Sequence, residues 1–185
     1  MGIYGQIIAL CWLAFLGVWF VFAIRGKGSG RRRHSPRGSA TRLLLFVTLV
    51  LGIRFANRIP AVPFGRLNSD IAAAGAALCM AGIALAIWAR VTIGPNWGMP
   101  MTLHDAPELV TSGPYDYVRH PIYTAMAAMA IGTALVFPPA ALWAVGTMAY
   151  MLFSARREEE DMERRFPDTY PEYKRRSKMF VPFLF

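Results

Sequence analysis

The chain has 185 residues, 55% apolar and 17% charged, with 20 Lys/Arg against 11 Asp/Glu and a formal net charge of +9. A soluble domain carries about 25% charged residues, so this composition is unusual for one, while the length fits one membrane domain over 1–185. The charge is gathered into blocks, leaving apolar stretches long enough to cross or nearly cross a bilayer.

Ile3 to Ile24 is uncharged and contains Trp12, Phe15, Trp19, Phe20 and Phe22. It lacks a basic leader segment and a clear small-residue cleavage site, so it reads as a retained span rather than a signal peptide. The Gly/Ser/Arg-rich stretch from Arg25 to Arg42 reads as a cytoplasmic linker. Its Gly26-Lys27-Gly28-Ser29-Gly30 lacks the GxxxxGK[ST] spacing of a phosphate loop. Further spans are expected at 43–59, 71–89, 122–137 and 140–153. Pro138-Pro139 divides the last two into a helical hairpin. Ala125, Ala127, Ala128, Ala130, Gly132 and Ala134 on its first arm permit close helix contact.

Five spans place residues 25–42, 90–121 and 154–185 on one side, with 17 of the 20 Lys/Arg. That side is expected to be cytoplasmic, with the N-terminus outside and the C-terminus inside. The net charge then reflects topology and contact with anionic lipid. No aromatic residue interrupts Arg31-Arg32-Arg33 and no nucleic-acid-binding module is present, so no nucleic-acid partner is expected. Cys11 and Cys79 lie in apolar spans without ligand-spaced neighbours, which predicts packing rather than metal binding.

The 90–121 loop holds Trp97, His104, Asp105, Glu108, Tyr115 and Tyr117 between four prolines. It is expected to be stiff and aromatic. Trp97 fits a headgroup-level anchor as well as a substrate contact, and His104 has no partner at ligand spacing. Its end is denser in chemistry: Tyr115, Arg119, His120, Pro121 and Tyr123 fall within nine residues at the start of a helix. A helix N-terminus offers unpaired N–H groups and a positive dipole, suited to a carboxylate, and Arg119 would add a bidentate partner.

Beyond the last span comes Arg156-Arg157-Glu158-Glu159-Glu160-Asp161. Pairs Arg157–Asp161 and Glu160–Arg164 would make a solvated helix face. The hairpin, however, has arms of nearly equal length, which returns these acids to the His120 end.

The stretch from Gly94-Pro95-Asn96-Trp97 through Gly113-Pro114-Tyr115 and Arg119-His120-Pro121-Ile122-Tyr123 resembles the isoprenylcysteine carboxyl methyltransferase family in its small prokaryotic form. Glu158-Glu159-x-x-Met162, then Phe166, Tyr170, Tyr173 and Pro182, is similar to that family's closing pattern. The resemblance covers roughly the C-terminal half. Two positions depart from the pattern: Ser154 stands where the family usually has Arg, and Pro167 replaces a common Gly.

The resemblance implies an all-α integral membrane protein of about five transmembrane helices, whose C-terminal hairpin carries the cofactor site. It implies S-adenosyl-L-methionine as cofactor, an apolar or lipid-modified acceptor arriving from the bilayer, and no metal. Gly113, Tyr115, Arg119, His120, Pro121, Tyr123, Glu158 and Glu159 would bind the cofactor. Such a chain would sit as a multi-pass protein in a prokaryotic inner membrane. Methyl transfer from a sulfonium needs alignment and water exclusion rather than a protein nucleophile. A carboxylate acceptor needs only an orienting cation, for which Arg156 or Arg157 is the candidate. An amine or thiol needs a base, for which Glu158 is nearest. The alternatives are an NADPH-dependent reductase of the sterol-reductase type and a non-enzymatic membrane scaffold.

Overall fold

A computed structural model describes residues 2–25, 68–94 and 109–182. The expected 43–59 span and most of the 25–42 linker lie outside these residues, as do Trp97, His104, Asp105 and Glu108. Five α-helices are present among them: α1 (Ile3–Arg25), α2 (Ser69–Ile93), α3 (Pro121–Val136), α4 (Ala141–Arg165) and the short α5 (Tyr170–Arg176). No strand forms there; Val118 and Lys178 make an isolated parallel bridge.

Two of these helices, α1 and α2, are long and apolar enough to cross a membrane. In α1 an uncharged, mostly apolar run supplies length, while its aromatics supply packing. Phe15 stacks on Trp19 at 4.0 Å, and Trp12 meets Phe15 and Trp143 edge-on. The Trp12 indole donates to Thr133 Oγ1 at 3.0 Å, and Thr133 donates to the Met129 carbonyl. The polar atoms of this apolar layer are therefore paired, as a dry interior requires. The opposite face of α1 exposes Leu10, Leu13, Leu16 and Phe20 among the described residues.

Asn68 caps α2 by accepting from the Asp70 amide, and Gly94 ends it at φ 53°. The helix packs most extensively on α3. A Cβ on Gly75 would lie 2.8 Å from the Gly132 carbonyl oxygen, and one on Gly82 would lie 2.7 Å from Met129 Cγ. The small-residue arm expected from the sequence thus becomes a close backbone crossing, with Ala125, Met129, Ala130 and Cys79 buried beside it. Cys11 and Cys79 are free and buried in the core.

Pro121 opens α3 at its first position, where a missing N–H costs nothing. At 16 residues α3 is about 24 Å long, shorter than the ~30 Å hydrocarbon core. The expected boundary at Pro138-Pro139 is a single 3₁₀ turn, Pro138–Ala140. The second arm differs from the expected 140–153: α4 runs unbroken for 25 residues to Arg165. Residues 154–165 contain no Gly or Pro and are rich in good helix formers, so the helix carries its acidic residues well beyond the apolar end.

Candidate active site

The site forms where the polar end of α4 comes back against the start of α3. Gly113 adopts φ 61°, a left-handed turn, and its Cα faces the Thr92 side chain so closely that a Cβ would lie 3.1 Å from Thr92 Oγ1. That turn leads into a 3₁₀ segment, Gly113–Asp116, with Pro114 and Tyr115 buried. The chain then reaches His120 at the N-cap of α3. The His120 side chain makes no capping bond, which leaves its imidazole free for other partners.

Those partners come from α4. His120 Nδ1 lies 3.4 Å from Glu158 Oε2, and Nε2 lies 3.5 Å from Glu159 Oε1. Tyr123 donates to Glu158 Oε1 at 2.7 Å. Arg119 Nε donates to Glu159 Oε1 at 2.6 Å, and Lys174 Nζ lies 3.2 Å from Oε2 of the same carboxylate. At 3.5 Å the buried His120 Nε2 faces Glu159 as an ion-pair contact and makes no hydrogen bond among the described residues.

The electrostatics follow from that arrangement. Burial opposes protonation of His120, but the hydrogen bonding and charge of Glu158 and Glu159 outweigh it and raise its pKa above 6.5. Burial would raise the Glu159 pKa, yet His120, Arg119 and Lys174 together hold it down at about 2. The core of the site is the His120 imidazole held between two carboxylates, which favour its protonated form. Burial raises the phenol of Tyr115, with the nearby Tyr173 adding to the effect, so that phenol stays neutral.

A third segment roofs the site. After α4, Tyr170 and Tyr173 bury themselves from α5, and Tyr173 donates to the Tyr115 carbonyl at 2.6 Å. The chain then pairs with the 117–120 backbone: Arg119 N–H donates to the Lys178 carbonyl at 2.8 Å, and His120 N–H to Met179 at 3.2 Å. Thr124 donates to the Phe180 carbonyl at 2.7 Å, and the Phe180 ring tilts against His120. Arg119 also donates to the carbonyls of Lys174 and Ser177.

A cavity of about 140 Å³ lies beneath this roof. Of the residues expected at the site, Tyr115, Arg119, His120, Pro121, Tyr123 and Glu158 line it. Gly113 and Glu159 do not: Gly113 makes the turn, and Glu159 is enclosed by its three cationic partners. Arg119 differs from the free anion clamp expected of it, because its guanidinium holds Glu159 and the roof. Arg156 also differs from expectation. It is exposed and outside the lining, because a two-residue step rotates it about 200° around the helix from Glu158. Arg157 is exposed as well, with its guanidinium 4.7 Å over the Phe153 ring. Asp161 pairs forward with Arg165 at 2.7 Å and Arg164 at 3.7 Å, not backward with Arg157. Ser154 is buried.

Tyr170, Tyr173 and Met162, named only within the closing pattern, also line the cavity, and so do Ile93, Leu109, Val110 and Ile122. Lys174 carries no such signal, since it sits in a basic run indistinguishable in sequence from a solvated one. No cluster of three or more His, Cys, Asp or Glu suited to a metal occurs among the described residues.

Residues 75–164 match the model of the isoprenylcysteine carboxyl methyltransferase (ICMT) family. Over that span, just under half of the chain, the sequence is similar to this family. It is 32% identical over 115 residues to a protein-S-isoprenylcysteine O-methyltransferase of Xenopus laevis, covering 60% of this chain and 40% of that protein. It is 30% identical over 118 residues to the nickel-cobalt-cadmium resistance protein NccN of Alcaligenes xylosoxydans xylosoxydans, covering 62% of this chain and 53% of that one. The chain thus spans about half or less of the length of these relatives. The family match takes in α2 from Gly75, the whole of α3 and nearly all of α4, which are the elements that frame the His120–Glu158 contact.

Proposed function

We propose that this chain is an S-adenosylmethionine-dependent methyltransferase acting on an apolar or lipid-linked acceptor, with a carboxylate as the accepting group. The cofactor would enter from the cytoplasmic side of a multi-pass membrane domain. The observation that carries the reading is the convergence of His120, Tyr123 and Glu158 on one cavity from two helices of the family-matched region.

The lining suits the adenosyl cofactor in kind. Tyr115, Tyr170 and Tyr173 with Ile93, Leu109 and Val110 give aromatic and apolar surface for a purine. Glu158 supplies an acceptor for ribose hydroxyls or an ammonium group. When bound, S-adenosylmethionine supplies a methyl group already activated as a sulfonium.

The protein's own residues then have three tasks. Tyr123 and His120 fix the Glu158 carboxylate in one orientation, which keeps a negative charge facing the cavity. Glu159, neutralised by Arg119 and Lys174, holds His120 and the roof in place as a positioning residue. The roof itself excludes bulk water from the reacting groups. The orienting cation for a carboxylate acceptor, expected at Arg156 or Arg157, falls in this reading to His120, whose pKa Glu158 and Glu159 raise. Glu158 is the group within the lining able to take a proton from an amine or thiol acceptor.

Transfer of labelled methyl from S-adenosylmethionine into extracted lipids or prenylcysteine analogues tests the activity. Label incorporation that disappears in Glu158→Gln supports it. No incorporation with any acceptor, together with NADPH-dependent reduction by the same preparation, would replace it.

A further inference from the structure

The segment that roofs the cavity has a second face. Tyr170, Tyr173 and Ser177 turn inward and are buried, while Arg175, Arg176 and Lys178 are exposed. None of these three cations has an acidic partner within ion-pair distance among the described residues. The other cations nearby differ: Lys174 is held by Glu159 and Glu163, and Arg164 and Arg165 by Asp161. Arg176 lies 5.7 Å over the Tyr173 ring, so this short stretch concentrates positive charge that no acidic side chain neutralises among the described residues.

The depth of that stretch follows from markers on three helices. The Arg90 guanidinium sits 4.1 Å over the Phe22 ring at the ends of α2 and α1, and Arg157 sits over the exposed Phe153 ring on α4. An aromatic ring capped by a long cation is how a side chain bridges apolar and polar layers. Beyond Arg157, α4 rises about 12 Å to Arg165, and the chain must come back down to pair Lys178 with Tyr117 and Val118, just before the start of α3. Lys178 therefore returns to the level of the α3 N-terminus. Tyr117 and Val181 are exposed beside it.

We propose that the basic face formed by Arg175, Arg176 and Lys178 docks on the anionic headgroups of the bilayer, and that this docking holds closed the segment covering the cavity. Coupling follows from connectivity. The same eleven residues, 170–180, present the cations outward, line the cavity with Tyr170 and Tyr173, and set Phe180 against His120. Detaching the outer face from the membrane loosens the inner one. The inference rests on α1 and α2 spanning the bilayer, and it does not depend on which reaction the cavity performs.

Amide hydrogen exchange over 170–180 tests it, using the full chain in nanodiscs of phosphatidylcholine alone or mixed with phosphatidylglycerol. Anionic lipid should slow exchange by about fivefold per docked cation at low ionic strength, and added salt should erase the difference. The triple variant Arg175→Gln, Arg176→Gln, Lys178→Gln should match the wild type in neutral nanodiscs and lose the response to anionic lipid. Should the triple variant fold poorly, each single variant should lose about a third of the response on a logarithmic scale. Equal exchange in the two bilayers overturns the proposal, as does slowing by soluble polyglutamate in place of lipid. S-adenosylhomocysteine affinity, measured in the neutral nanodiscs, reports separately on the proposed function. Retained affinity with lipid-indifferent exchange sinks the docking alone, whereas failure to enter nanodiscs would overturn the membrane reading beneath it.

Discussion

The α2–α3 crossing and the α3–α4 polar end are built from opposite materials although they share α3. At the crossing, Gly75, Gly82 and Gly132 remove side chains so that backbones touch, and specificity lies in volume. At the polar end, Arg119, His120, Glu158, Glu159 and Lys174 form a charge network in which each member orients another. One half should therefore be sensitive to added atoms and indifferent to pH, and the other the reverse. The division also separates support from chemistry: the crossing fixes α3, and α3 presents His120 and Tyr123.

The largest effect expected is from Glu159→Ala. It leaves Arg119 buried beside a lost partner, and breaking such a pair costs about 3–5 kcal/mol. Thermal unfolding in detergent checks it; a midpoint equal to wild type would mean the network carries no structural weight. Gly132→Ala comes next. Its Cβ would meet the Gly75 carbonyl oxygen at 2.5 Å, an overpacking that costs about 1–3 kcal/mol. The same melting assay should show this loss unchanged across pH, in contrast to Glu159→Ala.

Acid and alkali should act only on the charged half. Glu159 has its pKa lowered to about 2 from 4.5, so its stabilisation is complete above 4.5 and disappears as pH falls through the folded value. His120 has its pKa raised above 6.5, so its contribution is complete below 6.5 and disappears as pH rises through the raised value. A pH series of unfolding midpoints should show both limbs. In Glu158→Gln the alkaline limb should move toward 6.5, and a limb that stays in place would detach Glu158 from His120.

Comparable to Gly132→Ala is Tyr123→Phe, which removes the hydrogen bond to a carboxylate and costs about 1.5–3 kcal/mol in binding or stability at most. Arg156→Ala should stay within about 0.5 kcal/mol of wild type, measured as both unfolding midpoint and ligand affinity. A large loss in affinity would return Arg156 to the site.

The sequence made the architecture legible where apolar runs and prolines act locally. The extents of α1 and α2 and the turn at Pro138-Pro139 follow from such signals. The meeting of His120 with Glu158 and Glu159 was legible too, because arms of similar length must bring their ends together. What stayed hidden depends on rotation and return. Which of two adjacent glutamates faces a cavity is set by about 100° of helix, and hydropathy carries no phase in a run as polar as 156–161. Lys174 resembles an ordinary cytoplasmic cation, and Arg119 reads in sequence as an anion clamp rather than a partner of Glu159. Their contacts arise only when 170–180 folds back on 117–120, a long-range pairing with no local pattern.

The central claim is that the cavity beside His120 and Glu158 binds an adenosyl sulfur ligand. Calorimetric titration of the purified chain with S-adenosylhomocysteine, with NADPH in parallel, tests it directly when wild type, His120→Ala and Glu158→Gln are compared. Binding of the first ligand alone, lost in both variants while each remains folded, is the result predicted. Binding of NADPH alone, or unchanged affinity for S-adenosylhomocysteine in the folded variants, would contradict it.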